Sequence, residues 1–221
     1  MNLTLLIGNQ NYSSWSLRPW MLLRHLGLAF AVEKVQLDAP RFKAQVAAFG
    51  PAGRVPMLRD GELVIWDSLA ICEYACELAG RGWPRERAAR ARARALAAEM
   101  HAGFAGLRGA WSMNARARDR CAAMTPALAA DIARIDAAWS ECRRAFGAQG
   151  PWLFGADYTV ADAMFAPVVL RFNTYAARTG GAALSSAAAA YVGHALADPI
   201  LGEWMAAAQA ESWVLPREEI D

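Results

Sequence analysis

The chain has 221 residues, 56% of them hydrophobic, and its 23 basic and 21 acidic side chains leave a net charge of +2. That length allows one large domain or two small ones, with enough apolar content for a sizeable core. The near balance of charge excludes a global pull toward nucleic acid or an anionic membrane surface. No apolar run approaches the roughly 18 residues of a membrane span, and the N-terminus lacks the basic start of a signal peptide, so a cytoplasmic protein is expected. The cysteines are Cys72, Cys76, Cys121 and Cys142. So few in a chain this long fit a reducing compartment. Cys72 and Cys76 share one face of a predicted helix, but no nearby His or Cys completes a zinc pattern, so buried packing is the better reading.

In chain order, Leu3-Thr4-Leu5-Leu6-Ile7 reads as a short strand buried on both faces. Gly8 to Asn11 is a turn, and an apolar-periodic helix follows through Met21, Leu22, Leu23 and Leu26. It starts between Ser14 and Ser16. Pro19 favours Ser16 as the cap, because proline is tolerated in a first turn and costs about 3 kcal/mol deeper in; an earlier cap requires a distorted first turn. Gly27 ends the helix. Val35 and Leu37 alternate with polar neighbours and predict a second strand. Arg41 to Phe49 is a weak helix closed by Gly50-Pro51. Asp60-Gly61 is a hairpin signal, with Glu62 to Trp66 returning. Asp67-Ser68 then caps a helix carrying Ile71, Tyr74, Ala75 and Leu78 at helical spacing. Gly80 to Pro84 is a linker.

Every periodic segment after Pro84 is helical. Leu96, Met100, Phe104, Leu107 and Trp111 form one stripe; Leu128, Ile132, Ile135, Trp139, Cys142 and Phe146 form another, entered at Thr125-Pro126. Thr159-Val160-Ala161-Asp162 is a capping-box variant opening an apolar segment through Phe172, which Pro167 is expected to kink. Alanine-rich helices follow to about Ala210. The predicted order is therefore β-α-β-α-β-β-α over residues 1–80, then an all-helical part over 85–221. Six arginines lie between Arg81 and Arg94, with Trp83 the one aromatic among them and no regular interleaving, and read as a solvated face or a subunit rim. His25, His101 and His194 stand alone and receive no role.

Four features together make the chain resemble the cytosolic glutathione S-transferase family over nearly its whole length. They are the serine-rich turn Tyr12-Ser13-Ser14-Trp15-Ser16-Leu17-Arg18, the Val55-Pro56 pair, Asp67-Ser68-Leu69-Ala70-Ile71, and the Thr159 to Asp162 box. The resemblance implies a thioredoxin-like first domain, a helical second domain, glutathione as co-substrate and a homodimer. It also implies a site. The backbone of Val55 would pair with the cysteinyl part of glutathione as an added strand, ahead of a cis Pro56. Ser68 would take the γ-glutamyl carboxylate at a helix N-terminus. Asp67 would meet the γ-glutamyl ammonium, and Arg54 is the candidate for the glycyl carboxylate. The Ser-Ser-x-Ser-x-Arg run is most similar to the zeta class, which has Ser-Ser-Cys-Ser-Trp-Arg; that alignment puts Ser13 on the catalytic serine and Ser14 beside it. Trp15 stands where that class has cysteine, which argues against disulfide-exchange chemistry.

The implied chemistry has a physical requirement. A free thiol titrates near pH 8.5, and each unit of depression needs about 1.4 kcal/mol of preference for the thiolate. A serine hydroxyl and a helix N-terminus together supply roughly 2 to 4 kcal/mol. Three functions remain open on the sequence. One is transfer of glutathione to small hydrophobic electrophiles. Another is glutathione-dependent cis–trans isomerisation of a conjugated diene acid, which an anion-binding arginine such as Arg108 would favour. The third is non-catalytic binding on the same fold. The Trp111–Met113 region is a candidate for pocket lining, although a helix stripe is more often core.

Overall fold

The computed structural model describes residues 2–219. Its first half runs β1 (Leu3–Ile7), α1 (Ser14–His25), β2 (Phe30–Lys34), α2 (Phe42–Phe49), β3 (Met57–Asp60), β4 (Leu63–Trp66) and α3 (Ser68–Ala79). The sheet order is β2-β1-β3-β4; β1 and β2 are parallel, and β3 is antiparallel to both β1 and β4. This is a thioredoxin-like mixed sheet. The second half is helical: α4 (Arg87–Ala102), α5 (Ala105–Ala110), α6 (Pro126–Phe146), α7 (Val160–Tyr175), α8 (Ser186–Leu196) and α9 (Pro199–Ala210). One continuous buried cluster runs from Leu3 and Leu5 through Leu17, Met100 and Phe165 to Ala208, so both halves share a core. A smaller cluster of Leu6, Val35, Val46, Phe49 and Met57 sits under α2.

Three elements differ from the sequence expectation. The second strand is Phe30–Lys34, paired Leu3↔Phe30 through Ile7↔Lys34, and Val35 and Leu37 lie beyond it. The strand is at the sheet edge and mostly exposed, so its residues carry no clean alternation. Val35 donates its N–H to the Ile7 carbonyl at 2.9 Å as the chain leaves the sheet, and Leu37 donates to the Asn9 side chain at 2.7 Å. Both were apolar for the small core and the turn, not for a strand.

Helix α1 starts at Ser14, with Ser13 in the cap position and Pro19 inside the helix. Ser16 is therefore not the cap. Pro19 leaves the Trp15 carbonyl without its usual donor four residues on. Burial of Leu17, Met21, Leu22 and Leu23 offsets that loss, each of these side chains being essentially inaccessible.

The stripe from Leu96 to Trp111 is broken between α4 and α5. Gly103 closes α4, where a Cβ would stand 2.8 Å from the Glu99 carbonyl, and Phe104 takes a left-handed φ of 58°. Leu96, Met100, Phe104, Leu107 and Trp111 are all buried regardless, so the periodicity reports the face correctly but not the break. The capping box of α7 forms as expected: Asp162 accepts the Thr159 N–H at 2.9 Å, the Thr159 hydroxyl at 2.7 Å and the Leu153 N–H at 3.0 Å. Helix α7 continues through Pro167 to Tyr175. No described helix is long and apolar enough to cross a membrane. Cys72, Cys76 and Cys142 are buried free thiols and Cys121 is exposed.

Candidate functional site

Sheet register gathers three of the four sequence features at one end. Leu6 of β1 pairs with Met57 of β3, and Met57 pairs with Trp66 of β4. The loop after Ile7, the Val55-Pro56 pair before Met57 and the Asp67-Ser68 pair after Trp66 therefore leave the sheet on the same edge. The Val55–Pro56 peptide is cis. Val55 lies just outside the ladders, which begin at Met57, and has no backbone partner among the described residues. Its N–H and C=O are free to take an added strand. Arg54 is exposed beside it.

Asp67 adopts φ 74°, ψ 133°, a region that costs a non-glycine residue about 1–3 kcal/mol. Its Oδ1 caps α3, accepting from Leu69 N–H at 2.9 Å and Ala70 N–H at 3.4 Å. Its Oδ2 turns instead to His101 Nε2 of α4, at 3.3 Å. The next residue, Ser68, opens α3 with its hydroxyl buried and without a hydrogen-bond partner. A buried hydroxyl left alone costs about 1–3 kcal/mol. At a helix N-terminus it is a donor positioned for an anion.

The serines after β1 divide their work. Ser16 is fully buried and its Oγ accepts the Gly8 N–H at 3.1 Å, tying the start of the loop to the helix. Ser13 Oγ lies 2.7 Å from Ser16 Oγ, and Ser13 makes no capping bond to its own helix. One of the two hydroxyl protons goes to the other oxygen. If Ser13 donated, the Ser16 proton would be stranded in the fully buried position; donation by Ser16 leaves the Ser13 proton at the edge of the site. The second arrangement leaves the free proton on the less buried of the two residues, Ser13 at 6% exposure against 0% for Ser16. Ser14 is half-buried at the first position of α1.

Trp15 is the hub of the next layer. The Arg18 guanidinium lies over its ring at 4.0 Å, the Arg108 guanidinium at 4.6 Å, and the His101 ring meets it edge-on at 5.3 Å. Arg18 is completely buried; burial, then the charges of Arg171 and Arg108, push its pKa down to about 9. Arg171 of α7 is also buried and donates from Nε to the Trp111 carbonyl at 2.7 Å; burial and then Arg108 bring it down to about 10. His101, without a sequence role, thus touches both Asp67 and Trp15. Arg171 could have been suspected, since it is the one charge inside the apolar run from Ala163 to Phe172. Trp111 and Met113, read as possible pocket lining, are wholly buried in the core.

The loop bearing the serines is clasped by the C-terminal segment. Glu211 accepts the Gln10 and Asn11 N–H groups at 3.1 and 3.3 Å, and the Gln10 carbonyl accepts from the Trp204 indole at 2.8 Å. The Tyr12 hydroxyl donates to Glu219, which also pairs with Arg120 and accepts from Asn114 at 3.0 Å. Asn11 itself receives the Ala115 N–H at 3.1 Å on its carbonyl and the Arg116 N–H at 2.9 Å on its side chain.

Comparison with known proteins agrees with this fold. The family model "Glutathione S-transferase, N-terminal domain" matches residues 12–78, and "Glutathione S-transferase, C-terminal domain" matches residues 125–207. A probable glutathione S-transferase GSTF2 of rice (Oryza sativa subsp. japonica) is 35% identical over 65 residues, 28% of this chain and 30% of that relative. Among solved structures, a glutathione transferase homologue from Burkholderia with bound glutathione superposes with a TM-score of 0.70 at 22% identity, over 96% of this chain and 100% of that one. A tau-class glutathione S-transferase from mango (Mangifera indica) gives 0.67 at 18% identity, over 95% and 96%. A diazinon-metabolizing glutathione S-transferase from the silkworm Bombyx mori gives 0.70 at 17%, over 95% and 98%. With both domain models matched in order and together spanning well over half of its length, the chain belongs to the glutathione S-transferase family.

Proposed function

We propose that this chain is a glutathione transferase which holds its co-substrate at the sheet end and keeps the sulfur as thiolate for attack on small hydrophobic electrophiles. The observation that carries the reading is the Gly8–Ser16–Ser13 hydrogen-bond chain at the start of α1, which supports Ser13 as the hydroxyl with a proton to give. Ser13 donates to the sulfur, with Ser14 beside it at the helix N-terminus. The hydroxyl is a donor and not a nucleophile. The unpartnered Ser68 hydroxyl takes the γ-glutamyl carboxylate, Asp67 the γ-glutamyl ammonium, the free backbone of Val55 ahead of Pro56 the cysteinyl unit, and Arg54 the glycyl carboxylate. A cytoplasmic location and a homodimer belong to the same reading. Leu63 and Trp66 stand half exposed on the sheet-edge strand β4, and that edge suits cover by a second copy. Glutathione-dependent isomerisation uses the same site, with glutathione adding to a conjugated diene acid and leaving again; the arginines around Trp15 are what favour it.

The test is an ultraviolet difference titration of bound glutathione, following thiolate absorbance against pH. A bound-thiol pKa well below the free value of about 8.5 is expected, and Ser13→Ala should return it by about one unit or more while glutathione binding is largely kept. If Ser14→Ala does this and Ser13→Ala does not, the donor is Ser14. Tight binding with an unshifted thiol would make this a binding protein, and absence of glutathione binding would end the reading.

A further inference from the structure

His101 reaches across from the helical half to Asp67, although nothing in the chemistry proposed above requires it. It lies in the last turn of α4, and the chain is fixed directly after it: Gly103 closes the helix, and Phe104 takes its left-handed φ and enters the core. His101 Nε2 stands 3.3 Å from Asp67 Oδ2. The imidazole meets the Trp15 indole edge-on, at 73° with centroids 5.3 Å apart. That indole is itself held by the guanidinium groups of Arg18 and Arg108. The imidazole is therefore braced by a ring that is fixed in turn.

The two ring nitrogens settle where the proton sits. Nδ1 is buried and has no hydrogen-bond partner. A proton there would be a stranded donor, and Nε2 would then turn a lone pair toward a carboxylate oxygen. A proton on Nε2 avoids both and directs an N–H at Asp67. The two oxygens of Asp67 are thereby divided. Oδ1 accepts from Leu69 and Ala70 at the head of α3, while Oδ2 faces His101 and keeps a lone pair to offer. The Asp67 side chain is 44% exposed, so a ligand has room to approach it. Two anchors on so short a side chain fix the plane of its carboxylate; with the cap alone, the plane can pivot about Oδ1. The backbone is strained at the same residue, at φ 74°, and strain of this kind gathers where a fold places a ligand-binding group.

We propose that His101 is a positioning residue that sets specificity for the amino group of glutathione: its Nε2–H holds Asp67 Oδ2 at the angle the γ-glutamyl ammonium needs. This rests on the glutathione transferase reading above. Ser68 takes the carboxylate of the same unit, so two adjacent residues read the two charged groups of one amino-acid head. The role is played through Asp67, so loss of His101 is felt in affinity for that head and not in the state of the thiol. A carboxylate that must first be ordered binds its partner more weakly by the cost of ordering it, and contacts between charged groups are the ones most sensitive to such alignment.

The test compares glutathione with glutaryl-cysteinylglycine, the same peptide thiol with hydrogen in place of the amino group, by calorimetric titration at neutral pH. The wild-type protein should bind glutathione about tenfold tighter or more. In His101→Ala this ratio should fall about fivefold, through weaker glutathione alone, with the analogue's affinity and the bound-thiol pKa unchanged. His101→Phe keeps a ring against Trp15 without the N–H and should lose the ratio in the same way. His101→Gln keeps an N–H donor and should retain most of it. In an Asp67→Asn background, His101→Ala should add little, because the effect passes through that carboxylate. A wild-type ratio near one overturns the inference, while glutathione binding with a depressed thiol pKa keeps the transferase reading. A ratio that survives His101→Ala or His101→Phe also overturns it. So does equal weakening of both ligands, which is the mark of a structural role, or a full effect of His101→Ala in the Asp67→Asn background. If the wild-type protein binds neither peptide, the inference and the transferase reading fall together.

Discussion

Three serines stand within four residues, and their hydroxyls have different fates. Ser16 is spent on the Gly8 N–H; Ser13 leans on Ser16 and keeps a proton to give; Ser14 sits at the helix start, half in solvent. Stability and activity should therefore separate by residue. Ser16→Ala removes the acceptor of a buried N–H and should lower stability by about 1–3 kcal/mol, read as a shifted denaturation midpoint. Ser13→Ala should change stability little and raise the bound thiol's pKa. Equal stability losses in the two variants would sink this division. The run of serines was legible in sequence, but the order of their hydrogen bonds was not. It depends on Gly8 returning against the helix, eight residues away along the chain. His101 was illegible for a related reason: a lone histidine means little until the fold sets it against Asp67 and Trp15.

The elements most open to misreading were those whose apolar residues serve more than one neighbour. Val35 and Leu37 imitated a strand because the chain leaving β2 buries Val35 against α2. The stripe from Leu96 to Trp111 imitated one helix because the break at Gly103 and Phe104 keeps the buried face aligned. The C-terminal segment carries little pattern of its own, yet its carboxylates close the serine-bearing loop. Burial raises the Glu219 pKa, but hydrogen bonds from Tyr12 and Arg120, with the Arg120 charge and Asn114, outweigh it and hold the carboxyl below its ordinary value of 4.5. The sign follows: a depressed folded pKa contributes stability that is complete above 4.5 and is lost as pH falls through the lower folded value. Hydrogen exchange of the loop amides from Gln10 to Tyr12 should therefore accelerate below that value, after correction for intrinsic rates. Glu219→Gln should show weaker protection already at neutral pH. Protection unchanged by both acid and substitution would mean the clasp contributes nothing.

At the scale of the molecule, the sheet leaves Leu63 and Trp66 half exposed on its β4 edge while the two halves share one core. Sedimentation of the wild-type chain should give a dimer, and Trp66→Glu should shift it toward monomer with the fold retained, as seen by circular dichroism. A wild-type monomer would remove the homodimer from the proposal. The sequence alone determined the order of elements and, through motifs that resemble the family's, implied the mixed sheet, the family and the residues proposed to meet glutathione. These are local signals, since caps, turns and hydrophobic periods act within a few residues. Only the tertiary structure decided that Ser13 and Ser16 share a hydrogen bond, that His101 faces Asp67, and that Arg18 and Arg108 from two different helices lie over one tryptophan. Contacts between groups dozens of residues apart are set by helix packing across a shared core, and no short-range pattern encodes them.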